Sequence, residues 1–172
     1  MNISDTIHII MTRRSIRSFT EQEVNDEQIK TILKVAMNAP SAGNAQPWEF
    51  IVIKNKNSMK KIAEINEYAS FAPSSSVGIL ACGNLNLEKF KGYWVQDVSA
   101  SIENMLIAIH AMGLGAVWTG IYPMNDRVSA FSTLFDLPNY IIPLGLILIG
   151  YAKNTPKPVE RFDEKRIHWE KW

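Results

Sequence analysis

Ala39-Pro40-Ser41-Ala42-Gly43-Asn44-Ala45-Gln46-Pro47-Trp48-Glu49-Phe50 joins a helical pattern on its N-terminal side to an apolar run, Trp48 to Ile53, that reads as a strand. Two prolines, a glycine, small residues and two amides give this joint a fixed course, close backbone approach and several directed donors and acceptors. A loop of that make-up suits a flat ligand with a polar edge. Pro, Gly and Asn also build ordinary helix-to-strand turns, so the loop taken alone leaves both readings open.

Working outward toward the N-terminus, Val24-Asn25-Asp26-Glu27-Gln28-Ile29 reads as a helix start, with Asn25 as cap, Gln28 as its box partner and Val24 against Ile29 as a hydrophobic staple. Ile29, Ile32, Leu33, Ala36 and Met37 then form one apolar stripe that Pro40 stops. An earlier helix, capped by Ser4 or Asp5 and carrying Ile7, Ile10 and Met11, should end near Arg13 or Arg14.

Toward the C-terminus the pattern predicts a short helix around 58–67, a buried strand over Val77 to Cys82 and a long helix from Tyr93 to Met112. Trp94, Val98, Ile102, Met105, Ile109 and Met112 share one face of that helix, and Leu106, Ile107 and Ala108 widen it, so it is either central or shared with a second subunit. A third strand is expected over Ala116 to Ile121, a helix capped by Asn125, and a fourth strand from Ile141 to Tyr151. The last twenty residues, Lys153 to Trp172, hold prolines, charges and two tryptophans without core periodicity and should run across a surface. The reading is one α+β domain with an extended C-terminal arm.

Composition narrows the function. The 172 residues are 47% apolar, ample for one core, and a net charge of +1 advertises neither nucleic acid nor an anionic membrane. One cysteine, Cys82, and three scattered histidines, His8, His110 and His168, make a disulfide framework or a metal site an unlikely design. No signal-like segment stands at the start and no apolar run reaches the roughly 18–20 residues that span a bilayer, so the cytoplasm is the expected location.

Arg13-Arg14-Ser15-Ile16-Arg17-Ser18-Phe19 packs three arginines and two serines into a turn after a helix. Planar guanidinium forks with hydroxyls between them make an anion cradle, although three close arginines can also be a plain solvated face. Gly113-Leu114-Gly115 is no dinucleotide fingerprint, because it follows a helix and precedes a strand. With no evident nucleophile, carboxylate pair or metal, hard chemistry falls to a bound organic cofactor.

Arg13 to Phe19, Ala39 to Trp48, and Gly113-Leu114-Gly115-Ala116-Val117-Trp118-Thr119-Gly120 together resemble the FMN-dependent nitroreductase family in residues, order and approximate spacing. The ending, Arg161-Phe162-Asp163 to Trp172, is similar to that of its shorter members. The resemblance implies a nitroreductase-like α+β fold with a central, mostly antiparallel or mixed sheet flanked by helices. It also implies an intertwined homodimer with FMN at the subunit interface. Residues 1–152 would form the FMN-binding domain, and 153–172 an arm around the partner.

Carried over by the same resemblance, Arg13, Arg14, Ser15 and Arg17 hold the phosphate and reach the pyrimidine edge of the flavin. Pro40, Ser41 and Ala42 lie against flavin from the partner subunit, and Asn44 and Gln46 reach its ring and ribityl chain. Backbone N–H groups of Thr119, Gly120 and Ile121 approach the ring near N5 and O4. Arg161, with Lys157 beside it, contacts the phosphate. The implied activity is two-electron transfer from NADH or NADPH through FMN to a small electron-poor acceptor such as a nitroaromatic or quinone, in ping-pong order, with no catalytic side chain. Dehalogenation, enone reduction, flavin fragmentation and non-catalytic FMN storage or sensing stay open beside it.

Overall fold

The structure, a computed structural model, describes residues 5–157 and 159–172. The Ser4 cap therefore lies outside the described residues, and the first helix, α1, runs over Asp5–Thr12.

Local chemistry sets most boundaries. In α2 (Asp26–Ala36) Asn25 Oδ1 accepts from the Gln28 N–H at 2.8 Å, while Gln28 Oε1 accepts from the Asn25 N–H at 3.0 Å. This is the expected reciprocal box, which satisfies two otherwise orphaned donors. Val24 and Ile29 are buried in one core cluster, as the staple requires. The helix α3 (Lys56–Ile65) starts two residues before the expected place, because Asn55 Oδ1 accepts from the N–H groups of Asn57 and Ser58. In α5 (Asn125–Leu134) Asn125 is the first helical residue and not the cap. Met124 holds that position with no side-chain bond.

Four strands, β1 (Trp48–Ile53), β2 (Val77–Asn84), β3 (Gly115–Gly120) and β4 (Ile141–Gly150), form one sheet in the order β1-β2-β4-β3. Every neighbouring pair is antiparallel. Among the described residues two isolated bridges add to the sheet, a parallel one from Ser15 to Ala116 of β3 and an antiparallel one from Phe19 to Ala152.

Both faces of the sheet are covered, which is why β2 and β4 read as unbroken apolar runs instead of alternating ones. Val77, Ile79 and Ala81 pack toward α2 and the long helix α4 (Trp94–Ala111), whereas Leu80 and Cys82 pack with Met59, Ile62 and Phe131 of α3 and α5. Ala81 pairs with Gly145 but Cys82 with Pro143, so Leu144 is the extra residue of a bulge. That shift puts Leu144, Ile147 and Ile149 on one face and Leu146 and Leu148 on the other. Pro143, which has no N–H to give a ladder, sits beside the bulge.

The long apolar helix is central within a single chain. α4 buries Trp94, Val98, Ile102, Met105, Leu106 and Ile109 against α2 and the sheet. Its entry is fixed by the Trp94 ring lying on Gly83, where an added Cβ would collide with it. Trp118 lies on Gly145 in the same way. Cys82 lies on the opposite face of the sheet, 1% exposed, and burial pushes its thiol up to about 12, with Glu49 adding to the shift. At pH 8 the native protein is expected to leave Cys82 unlabelled by a thiol reagent until it is unfolded, since only the thiolate reacts. Fast stoichiometric labelling of folded protein would contradict that burial.

Apolar side chains stay uncovered at both ends of the described chain. α1 buries no residue and exposes Ile10 and Met11, and the residues described over 159–172 are all exposed, Trp169 by 84% and Trp172 by 101%. Among the described residues no helix is long and apolar enough to cross a membrane.

Candidate functional site

The arginine segment is held against the outer edge of β3. α1 delivers it with an Arg13 N–H to Ile9 carbonyl bond of 3.0 Å, and the Ile16 N–H then donates to the Ala116 carbonyl at 2.9 Å. Further along, the Thr20 N–H bonds Tyr151 and the Lys153 N–H bonds Ser18, so the first part of the C-terminal tail runs beside the same segment.

Arg13, Arg14 and Arg161 converge on one cavity of about 260 Å³. Arg13 Nε lies 3.2 Å from Glu103 Oε1 on α4 but off its N–H direction, so it has an ionic neighbour and no hydrogen bond. A buried guanidinium N–H without an acceptor is costly, and it marks a place for an anionic oxygen. Arg14 is more committed. Its Nη1 donates to the Met11 and Arg13 carbonyls, and Nε and Nη2 reach the Lys157 and Val159 carbonyls at 3.4 and 3.5 Å. Lys157 thus enters through its backbone, with its side chain exposed. Glu160 shares the cavity, but its carboxylate turns in to accept the Arg161 and Phe162 N–H groups, and those bonds hold its pKa below the usual carboxylate range. Nearby His110 is held below the ordinary imidazole value, first by burial and then by Arg13, His8 and Arg14. The local field is that of a cation cluster.

Arg17 opens into a second cavity, of about 310 Å³, with Thr119, Gly120, Trp118, Tyr68 and Arg127. Among the described residues Arg17 has no hydrogen bond or ion pair. Along a strand, alternate residues point both N–H and C=O to the same edge. The Ala116 carbonyl faces outward to Ile16, so Trp118 and Gly120 face outward too. Thr119 and Ile121 face β4, and the Ile121 N–H is taken by the Leu144 carbonyl at 3.1 Å. Of the three backbone donors expected here, Gly120 is the one on offer. The Thr119 hydroxyl donates to the Leu146 carbonyl, and the Ile121 side chain is fully buried.

Pro40, Ser41 and Ala42 line a third concavity, of about 280 Å³, with Tyr93, Gln96, Asp97 and Ala100 of the α4 start. The loop beyond them turns through left-handed geometry at Gly43, Asn44 and Gln46, with φ of 58°, 53° and 50°, which is free for the glycine and strained for the other two. Left-handed geometry costs a non-glycine residue about 1–2 kcal/mol. The Ser41 hydroxyl accepts the Gln46 N–H at 3.0 Å, and Gln46 Nε2 donates to Asn44 Oδ1 at 2.8 Å. This leaves the Asn44 Nδ2 donor and the Gln46 Oε1 acceptor of two exposed residues without a partner among the described residues. At the loop's exit the Asn84 N–H holds the Pro47 carbonyl at 2.7 Å.

The sequence profile of the nitroreductase family matches residues 10–76 and 86–151, which takes in all three clusters except Lys157 and Arg161. The chain belongs to the nitroreductase family. It is 45% identical over 98% of its length, and over 88% of that protein's, to one from Methanothermobacter thermautotrophicus provisionally named NADH dehydrogenase/NAD(P)H nitroreductase. A similarly named crystal structure from Parabacteroides distasonis superposes with a TM-score of 0.95 at 32% identity, covering 99% of this chain and 100% of that one. A provisionally named nitroreductase of Desulfovibrio desulfuricans, solved in complex with FMN, superposes with a TM-score of 0.87 at 27% identity, covering 99% of both chains.

Within this nitroreductase fold the sequence reading missed Asp97, Glu103, Lys89 and Arg127. Asp97 left a signal, being a carboxylate at i+3 from Trp94 on the buried stripe of α4, where it is 5% exposed and accepts the Ala42 N–H at 2.9 Å. Glu103, Lys89 and Arg127 left none, because a charged residue on a helix or loop is the ordinary case in a sequence.

Proposed function

We propose that this nitroreductase-family chain is an FMN-dependent NAD(P)H oxidoreductase that passes two electrons to small electron-poor acceptors such as nitroaromatics or quinones, in ping-pong order. The observation that carries the reading is the buried Arg13 Nε without an acceptor, in a cavity shared with Arg14 and Arg161. That donor set fits the dianionic phosphate of FMN.

The three clusters lie in three separate concavities of one chain. A homodimer resolves this, with Arg13, Ser15, Arg17, Gly120 and Arg161 from one subunit facing Pro40, Ser41, Ala42, Asn44 and Gln46 of the other. The amide donor and acceptor of Asn44 and Gln46 match a pyrimidine edge on which carbonyl and N–H alternate. The uncovered faces of α1 and of residues 159–172 supply apolar surface for the partner. In this reading 153–172 is the arm.

Bound FMN supplies hydride acceptance and donation. The chain's part is to bind, orient and balance charge: Arg17 would bring an uncompensated cation to the edge where negative charge develops, and Gly120 would offer a backbone donor to the ring. The test is anaerobic addition of NADH or NADPH to the yellow holoprotein. Loss of the flavin absorbance within seconds, and its return on adding a quinone or nitroarene, is expected. Flavin that neither nicotinamide reduces would leave binding without turnover and overturn the proposal.

Glu103 competes with the phosphate for Arg13. Glu103→Gln is expected to tighten FMN binding about three- to tenfold at low salt, with the gain shrinking as salt screens the pair. Fluorescence titration of flavin-free protein measures it, and weaker binding in the variant would show that Glu103 holds Arg13 in place.

A further inference from the structure

We propose that Lys89 and Asp97 are positioning residues for the flavin, holding the 41–46 loop in the strained form that presents its two amides. The inference rests on the flavin reading and takes it further, to side chains outside the loop. Gln46, and to a lesser degree Asn44, in left-handed geometry relax unless the surroundings hold them, whereas Gly43 adopts that geometry freely. The bonds from Gln46 to Ser41 and Asn44 fold the loop on itself but tie it to nothing else.

Two charged groups make that tie. Asp97, in the first turn of α4, accepts the Ala42 N–H at 2.9 Å through Oδ1. Lys89, in the short connection between β2 and α4, donates from Nζ to the Gly43 carbonyl at 2.6 Å. Phe90 follows it and lies against Gly43, where an added Cβ would come within 2.9 Å of the ring. The same connection caps α4, with Glu88 Oε1 accepting the Trp94 N–H at 3.2 Å. The segment therefore closes over the loop from outside while Asp97 holds it from the domain side.

Plainer roles exist for both residues: Asp97 complements the positive end of α4, and Lys89 is an exposed lysine. Chemistry separates the roles. Helix complementation needs the charge at position 97, whereas the loop tie needs an acceptor oxygen that asparagine also carries. The tie at 89 needs a donor that arginine keeps and methionine lacks, and an exposed lysine-to-methionine change leaves stability nearly untouched.

The experiment measures FMN affinity by fluorescence quenching, and the melting temperature of flavin-free protein, for wild type, K89M, K89R, D97A and D97N. K89M and D97A are expected to bind FMN about tenfold more weakly. K89R and D97N are expected to stay within about threefold of wild type, and K89M to melt with wild type within about a degree. K89M binding as wild type does, or K89R losing as much as K89M, overturns the tie while the flavin reading stands. Wild-type protein that binds no FMN overturns both.

Discussion

Arg13→Ala is expected to weaken FMN binding by about 10- to 100-fold, the loss of one or two charge-assisted hydrogen bonds to a phosphate. Arg13 is the arginine to choose because the structure leaves its Nε buried and without an acceptor, whereas Arg14 spends its donors on carbonyls of its own chain. Glu103, the ionic neighbour of Arg13, is 44% exposed, so the ion pair itself contributes little to the fold. The variant should purify pale, melt near wild type when both are stripped of flavin, and bind FMN weakly on titration. Unchanged affinity would move the phosphate elsewhere.

Removing 153–172 is expected to cost more: a shift from dimer to monomer on size exclusion with light scattering, and FMN affinity lower by more than about 100-fold. The deletion takes away Arg161 and the apolar surface of Phe162, Trp169 and Trp172, which a single chain leaves exposed. Burying an aromatic side chain contributes about 1.5–3 kcal/mol, so two or three of them rank with the interactions that decide whether a dimer forms at micromolar concentration. A truncated protein that elutes and binds flavin as the full chain does would show that the arm covers nothing.

Much of this architecture was legible in the sequence. The Asn25–Gln28 box, the stripe of α2 and the apolar runs of β1, β2 and β4 are local patterns, and local chemistry set them. Two helix starts differed from the reading. Asn55 captured the start of α3, and Met124, not Asn125, took the cap of α5. The site was legible as residue types but not as directions. Sequence could not show that Gly120 faces the outer edge while the Ile121 N–H is spent on β4, because that alternation depends on which edge Ile16 takes. Nor could it show that Arg14 and Lys157 meet through backbone atoms, or that Lys89, 46 residues from Gly43, reaches its carbonyl.

A site divided between two chains has a direct test in a mixed dimer of Arg13→Ala and Asn44→Ala subunits, separated from the parent homodimers by differing tags. If Arg13 of one chain and Asn44 of the other face the same flavin, one site of the mixed dimer carries both substitutions and the other carries neither. Each substituted homodimer should then hold little FMN, and the mixed dimer about half the flavin of the unsubstituted protein, bound with full affinity. A mixed dimer as poor in flavin as its parents would place both residues in the site of a single chain and contradict the shared-site reading.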